Sequence, residues 1–166
     1  QNISIEEFMS IKGIGKVKAL QLMAICELTK RMSRPLNTNQ VQISSPQDVA
    51  ELLIEEMRYE KREIVKAIIL NSKNFITKII DVCYGGTNSA ILKPKDVLYE
   101  AIKLGAPKII LVHNHPSGDP TPSKSDFDFT DRLVQAANIM GIELLDHIVL
   151  GEYGFKSIFY LKSKNN

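Results

Sequence analysis

The chain has 166 residues, 44% hydrophobic and 24% charged, with a formal net charge of +2, which allows one packed domain and a small appendage. No run approaches the roughly 18 consecutive apolar residues of a membrane span, and the start lacks the basic region, apolar stretch and cleavage site of a secretory signal; a cytoplasmic protein with no membrane partner is expected. The two cysteines, Cys26 and Cys83, form no C-x-x-C and read as reduced, buried spectators.

The first residue is Gln1 and not Met, which leaves open what precedes it, targeting information included. The positive charge is concentrated at the start. Residues 1–35 hold Lys12, Lys16, Lys18, Lys30, Arg31 and Arg34 against Glu6, Glu7 and Glu27, so the remainder is slightly acidic. "SIEEFMSIKGIGKVKALQLMAICELTKRM" reads as helix, tight turn, helix: Ser4 caps the first, Gly13 and Gly15 permit the turn, and Val17, Leu20, Met23 (or Ala24) and Leu28 recur at helical spacing. Residues 36–44 carry polar and turn-forming residues without periodicity and read as a linker.

"SPQD" announces the next helix, with Ser45 as N-cap, Pro46 at the first helical position, Asp48 closing a capping box, and Val49, Leu52, Leu53 and Met57 as its apolar face. "EIVKAIILNSKNFITKIIDVCY" is a hairpin turning at Asn71 to Asn74. "GGTNS" is a loop. Pro94 opens a helix that turns Val97, Leu98, Ala101 and Ile102 to a core; "KIILV" is a strand, Ser123 to Met140 a helix, "IELLDHIVL" a strand and "GFKSIFYLK" a final strand. This order predicts a mixed sheet covered by helices.

Two of the three histidines, His113 and His115, stand at the end of the "KIILV" strand. Strand side chains alternate, so both project to one side, about 7 Å apart along the backbone. Imidazole suits zinc, and a catalytic zinc takes three protein ligands and keeps its fourth position for water. Asp126, in the first turn of the next helix, is the candidate third ligand. Ser123 and Asp126 are also a capping box in their own right. His147 reads as a core or supporting residue and is not assigned as a ligand.

The spacing H-x-H, seven residues, Ser, two residues, Asp, made by His113, His115, Ser123 and Asp126, resembles the JAMM metalloprotease signature of the JAB (MPN) domain, and "VHNHPSGDP" is similar to its bacterial RadC branch. The likeness extends to "GTNSAILKPKDVLYEAIKLGAPKIILVHNHPSGDPTPS", "GIELLDHIVLGE" and "IKGIGKVKALQLMA". It implies a cytidine-deaminase-like α/β/α fold for residues 45–163 and one zinc ion on His113, His115 and Asp126. It further implies a glutamate near the start of the first strand as general base, best matched by Glu63 with Glu60 as runner-up, and Ser123 as donor to the oxyanion. On spacing alone Glu63 reads as a charged strand-start residue facing solvent. Asn114 departs from the Ser or Thr of the deubiquitinating relatives, which counts against a ubiquitin-type substrate. Zinc deaminases share the fold but need H-x-E and P-C-x-x-C, which are absent.

"IKGIGKVKA" resembles a helix-hairpin-helix, whose turn offers backbone N–H groups to a nucleic-acid phosphate. Gly13, Gly15, Lys16 and Lys18 are then the DNA contacts of a small all-α unit, residues 1–35; the other reading of that hairpin is a packing module. The expected function is a zinc-dependent metallopeptidase acting on a peptide or protein substrate. The alternative is a non-enzymatic DNA-binding or DNA-repair accessory protein.

Overall fold

The computed structural model describes residues 4–32, 41–84 and 92–164. The chain divides into two compact units, Gln1–Asn37 and Thr38–Asn166. The first holds helices α1 (Ile5–Met9) and α2 (Lys16–Met32). Ser4 caps α1: its hydroxyl accepts the Glu7 N–H and its own N–H donates to the Glu7 carboxylate. Gly13, at φ +91°, makes the turn between the helices, a conformation that penalises any side chain. Phe8 and Ala19 are buried, whereas Val17, Leu20 and Leu28 of the expected apolar stripe are exposed. Cys26 is exposed as well, contrary to its reading as a buried spectator. The same expectation for the Cys83 side chain lies outside the described residues.

The second unit is a five-stranded mixed sheet in the order β2-β1-β3-β4-β5. Its elements are α3 (Pro46–Met57), β1 (Ile64–Leu70), β2 (Ile76–Tyr84), α4 (Pro94–Lys103), β3 (Lys108–Asn114), α5 (Lys124–Ile139), β4 (Glu143–Leu150), β5 (Phe155–Ser157) and α6 (Ile158–Lys164). β1 runs antiparallel to β2 and β3, β3 and β4 are parallel, and β5 returns antiparallel on β4. The hairpin turns as expected, with Asn74 at φ +62° and the Asn71 side chain accepting the N–H groups of Lys73 and Phe75.

β1 and β3 are buried on both faces, which is why they read as largely apolar runs, broken in β1 by the buried Lys66 and polar at the two ends of β3. On one face Val65, Ala67, Ile69, Ile109 and Leu111 pack with Val97, Leu98 and Ala101 of α4 and Phe129, Leu133 and Ala137 of α5. On the other, Ile64, Ile68, Leu70, Ile110 and Val112 pack with Val49, Leu53 and Met57 of α3. Each of the Val, Leu, Ile, Met and Phe side chains among them contributes on the order of 1.5–3 kcal/mol by leaving water. This is an α/β/α layering.

In the larger unit three further expectations need correction. Ile102 is exposed and takes no part in the α4 core face. Residues 41–44 of the expected linker belong to the larger unit, since Gln42 bridges Phe75 and Ile43 is buried; the rest of that stretch, 36–40, and the "GGTNS" loop lie outside the described residues. The final segment is a strand for only three residues and then a helix. Its β-favouring side chains yield to caps: Ser157 Oγ accepts the Tyr160 N–H and Asp146 Oδ1 accepts the Phe159 N–H, while Lys162 and Lys164 suit the negative end of the helix dipole.

Candidate metal centre

The C-terminal end of β3 and the N-terminus of α5 meet at one point. His113 is the penultimate residue of β3 and buried; His115 lies just beyond it, its N–H donating to Leu150 O at 2.8 Å. The Nε2 atoms of the two rings stand 3.1 Å apart. Asp126 brings Oδ1 to 3.5 Å from His113 Nε2 and Oδ2 to 3.6 Å from His115 Nε2. His113, His115 and Asp126 thus form a cluster able to hold a metal ion. In a tetrahedral site with bonds of about 2.0–2.1 Å, two ligand atoms are separated by roughly 3.3 Å, so the triangle already has the size of one face of a zinc coordination shell.

The lone pairs point the right way. His115 Nδ1 lies 2.8 Å from the Asp119 carbonyl oxygen, which can only accept; Nδ1 therefore carries the proton, and Nε2 of the neutral ring is left to bind a cation. The loop that supplies this carbonyl is seated by Gly118, whose N–H returns to His115 O and whose carbonyl accepts the Glu152 N–H. Gly118 has φ +83°, and a Cβ on the facing Gly151 would lie 2.6 Å from Pro120 Cδ, inside contact distance.

Asp126 is held by its own helix. Its Oδ2 accepts the N–H of Ser123 at 2.7 Å and the hydroxyl of Ser123 at 2.7 Å, and the Ser123 hydroxyl accepts the Asp126 N–H. Burial alone would raise the carboxyl's affinity for protons, but hydrogen bonding to His115, the charge of His113 and the Ser123 donors bring it well below the usual carboxylate range. His113 is pushed down to about 4, chiefly by burial. His115 moves up, first through its hydrogen bond with Asp126 and against its partial burial.

Glu63 is half-buried just before β1, and its carboxyl has a raised proton affinity, from burial first and then from the neighbouring Asp126 charge, with His115 opposing. It is thus electrostatically part of the cluster, contrary to the solvent-facing reading that spacing alone favours. Glu60 accepts the Asn114 amide through its carbonyl at 3.4 Å, and its N–H donates to Met57 O at 3.2 Å. Asn114, noted in the sequence only as a departure from Ser or Thr, has a structural role that the sequence reading missed. Buried between the two histidines, it accepts the Ile64 N–H at 2.7 Å and donates to Arg62 O at 3.2 Å, tying the segment that carries Glu63 to the end of β3. An asparagine between metal-binding candidates at a strand end was the available signal. His147 and Thr130 also reach the cluster: His147 Nε2 is 2.8 Å from His113 Nδ1, and Thr130 Oγ1 is 2.6 Å from His147 Nδ1.

In the other unit, Gly13, Gly15, Lys16 and Lys18 are exposed around the α1–α2 turn. No helix among the described residues is long and apolar enough to cross a membrane.

A mixed sheet between helices, with a His-His-Asp cluster at a strand end, defines the class of JAB (MPN) domains, and the profile of the RadC-like JAB domain matches residues 43–164. The chain is 49% identical over 157 residues to UPF0758 proteins of two Clostridium botulinum strains, Hall and 657, covering 95% of this chain and 69% of each relative. With the UPF0758 protein of Alkaliphilus metalliredigens it shares 46% identity over 158 residues, 95% of this chain and 68% of the relative. The chain belongs to the RadC (UPF0758) family of JAB (MPN) domain proteins.

Proposed function

We propose that the larger unit is a zinc-dependent hydrolase of the JAMM type, cleaving a peptide or isopeptide bond. The observation that carries this reading is the convergence of His113 Nε2, His115 Nε2 and the Asp126 carboxylate within zinc-ligand spacing. Two imidazoles and a carboxylate suit zinc, and three protein ligands leave a position for chemistry. When bound, zinc supplies an acidified water, with a pKa of about 7, and polarises the scissile carbonyl. Glu63 takes the proton from the attacking water and returns it to the leaving amine, a role that its raised proton affinity favours at neutral pH. Ser123 is the oxyanion donor of this reading, its hydroxyl turning from Asp126 to the substrate oxygen. In this reading residues 45–163 form the catalytic domain, within the compact unit that runs from Thr38 to Asn166, in a cytoplasmic protein whose exposed Cys26 is free.

Zinc per chain in protein purified without chelator tests the reading. About one ion is expected in the wild type, and none in His113→Ala or Asp126→Ala variants that retain the fold by circular dichroism. A wild type that neither contains zinc nor takes it up removes the mechanism.

A second reading concerns the N-terminal hairpin as a DNA contact through Gly13, Gly15, Lys16 and Lys18. It is favoured by the start of α2, where Lys16 and Lys18 stand at the positive end of the helix dipole with no acidic residue in the first turn. That arrangement costs helix stability and suits a phosphate. Fluorescence anisotropy with duplex DNA should show binding that weakens steeply from low to moderate salt. No binding at low salt would discard it.

A further inference from the structure

His147 is buried on β4, behind the metal cluster, and its contacts form a chain of hydrogen bonds whose direction can be read. The chain starts at the Asp126 carbonyl, which only accepts, so Thr130 Oγ1 at 2.6 Å must donate to it. With its one proton committed, the Thr130 hydroxyl can only accept from His147 Nδ1. His147 Nδ1 therefore carries a proton. The ring is buried and its hydrogen-bond partners are Thr130 Oγ1 and His113 Nδ1, neither of them a carboxylate, so it is neutral and its Nε2 is a lone pair. His113 Nδ1, 2.8 Å away, must then donate. The remaining nitrogen of His113, Nε2, is left bare and faces His115 and Asp126.

We propose that His147 is a positioning residue: with Thr130 it fixes His113 as the Nδ1–H tautomer and so keeps the Nε2 lone pair available to a metal ion. The two histidine ligands are then set from opposite sides, His115 by the Asp119 carbonyl of a loop and His113 by a side-chain relay through the core.

The fold makes a specific provision for this relay. Between β3 and β4 the pairing runs Ile109 to Leu144 and then Ile110 to Asp146, leaving Leu145 as an extra residue. Leu144 packs in the core beneath α4 and α5, but Ile148 and Leu150 pack in the opposite core beneath α3. Regular alternation from Leu144 would turn His147 toward α3. The bulge reverses the alternation and aims His147 at His113. Thr130, one turn beyond Asp126 on α5, completes the relay from the helix that also supplies the third ligand.

The proposal rests on reading the cluster as a metal site, and the test separates the two. In metal-free protein labelled with ¹⁵N in the histidine rings, at mildly alkaline pH where imidazoles are neutral, the wild type should show His113 protonated at Nδ1. His147→Leu should lose that signature and bind zinc about 10- to 100-fold more weakly in chelator competition, the usual cost of losing such a support. His147→Gln, whose amide oxygen can accept from Nδ1–H, should stay within a few-fold of the wild type. Thr130→Val frees His147 to move its proton to Nε2, and should shift the His113 proton to Nε2 as well; it carries the test if His147→Leu does not fold. A His113 found protonated at Nε2 in the wild type, or a folded His147→Leu with unchanged tautomer and zinc affinity, would overturn the relay. Failure of the wild type to bind zinc at all would instead overturn the metal reading and, with it, the purpose assigned to the relay.

Discussion

Two helices of the larger unit begin with the same device and end in different roles. α3 opens with Ser45 and Asp48, α5 with Ser123 and Asp126, and in each the serine hydroxyl accepts the aspartate N–H at 3.3 Å while the carboxylate accepts the serine N–H. Both carboxyls are shifted to low pKa: at Asp48 the Ser44 N–H is the leading cause, and at Asp126 the hydrogen bonds and His113 outweigh burial. At α3 this is a cap and nothing more. At α5 the rest of the carboxylate faces two imidazoles. A capping box therefore supplies a preset, ionised carboxylate, and the sheet decides whether that carboxylate has anything to hold.

The largest separation between the two caps should come from removing charge while keeping an acceptor oxygen. Asp126→Asn preserves a cap acceptor for Ser123, yet zinc affinity should fall by more than the roughly 10- to 100-fold that loss of a mere supporting hydrogen bond costs; Asp48→Asn should leave zinc content unchanged. Equal zinc content in the two variants would erase the distinction.

The second expected effect is on pH dependence. His115 has its pKa raised above 6.5, first by Asp126, while His113 is held down at about 4 by burial. Of the two imidazoles of the cluster, His115 is the one that holds its proton to the higher pH. Zinc affinity should therefore fall as pH drops through the raised His115 value, with up to about one proton released per ion bound there, measurable by calorimetry in buffers of different ionisation enthalpy. His113 acts on folding with its own sign: its depressed pKa contributes stability to the metal-free protein above pH 6.5 that is lost as pH falls toward about 4.

Asn114→Ala is next. It leaves the buried Ile64 N–H without its partner and should cost about 1–3 kcal/mol in chemical denaturation, and any hydrolytic activity should fall further than zinc content, because the clamp bears on Glu63 and not on the ligands. The smallest change is Ser45→Ala, about 1 kcal/mol with no effect on zinc.

How far this was readable from sequence depends on distance along the chain. The caps, the hairpin and the His-His-Asp cluster lie in short windows, where Ser-x-x-Asp, the Asn71–Asn74 turn and H-x-H carry their own geometry. Glu63 was placed from the family pattern, but its raised proton affinity depends on a segment tied to Asn114, fifty residues on in sequence. His147 reads in the sequence only as a core or supporting residue, because its direction depends on the extra Leu145, and a bulge has no signature in an apolar run. The last segment misled for a related reason: "SIFYL" favours a strand locally, and only Asp146 and Ser157 together cap it as a helix.

The close packing at Gly151 has a consequence for which substitutions the protein can accept. A side chain there has nowhere to go, because the Gly118–Pro120 loop lies against the backbone. Even one added methyl group would push that loop outward and carry the Asp119 carbonyl away from His115. A residue outside the His-His-Asp cluster thus governs how freely one of its imidazoles rotates, and a search for substitutions that disturb the cluster confined to charged and histidine positions would pass it by.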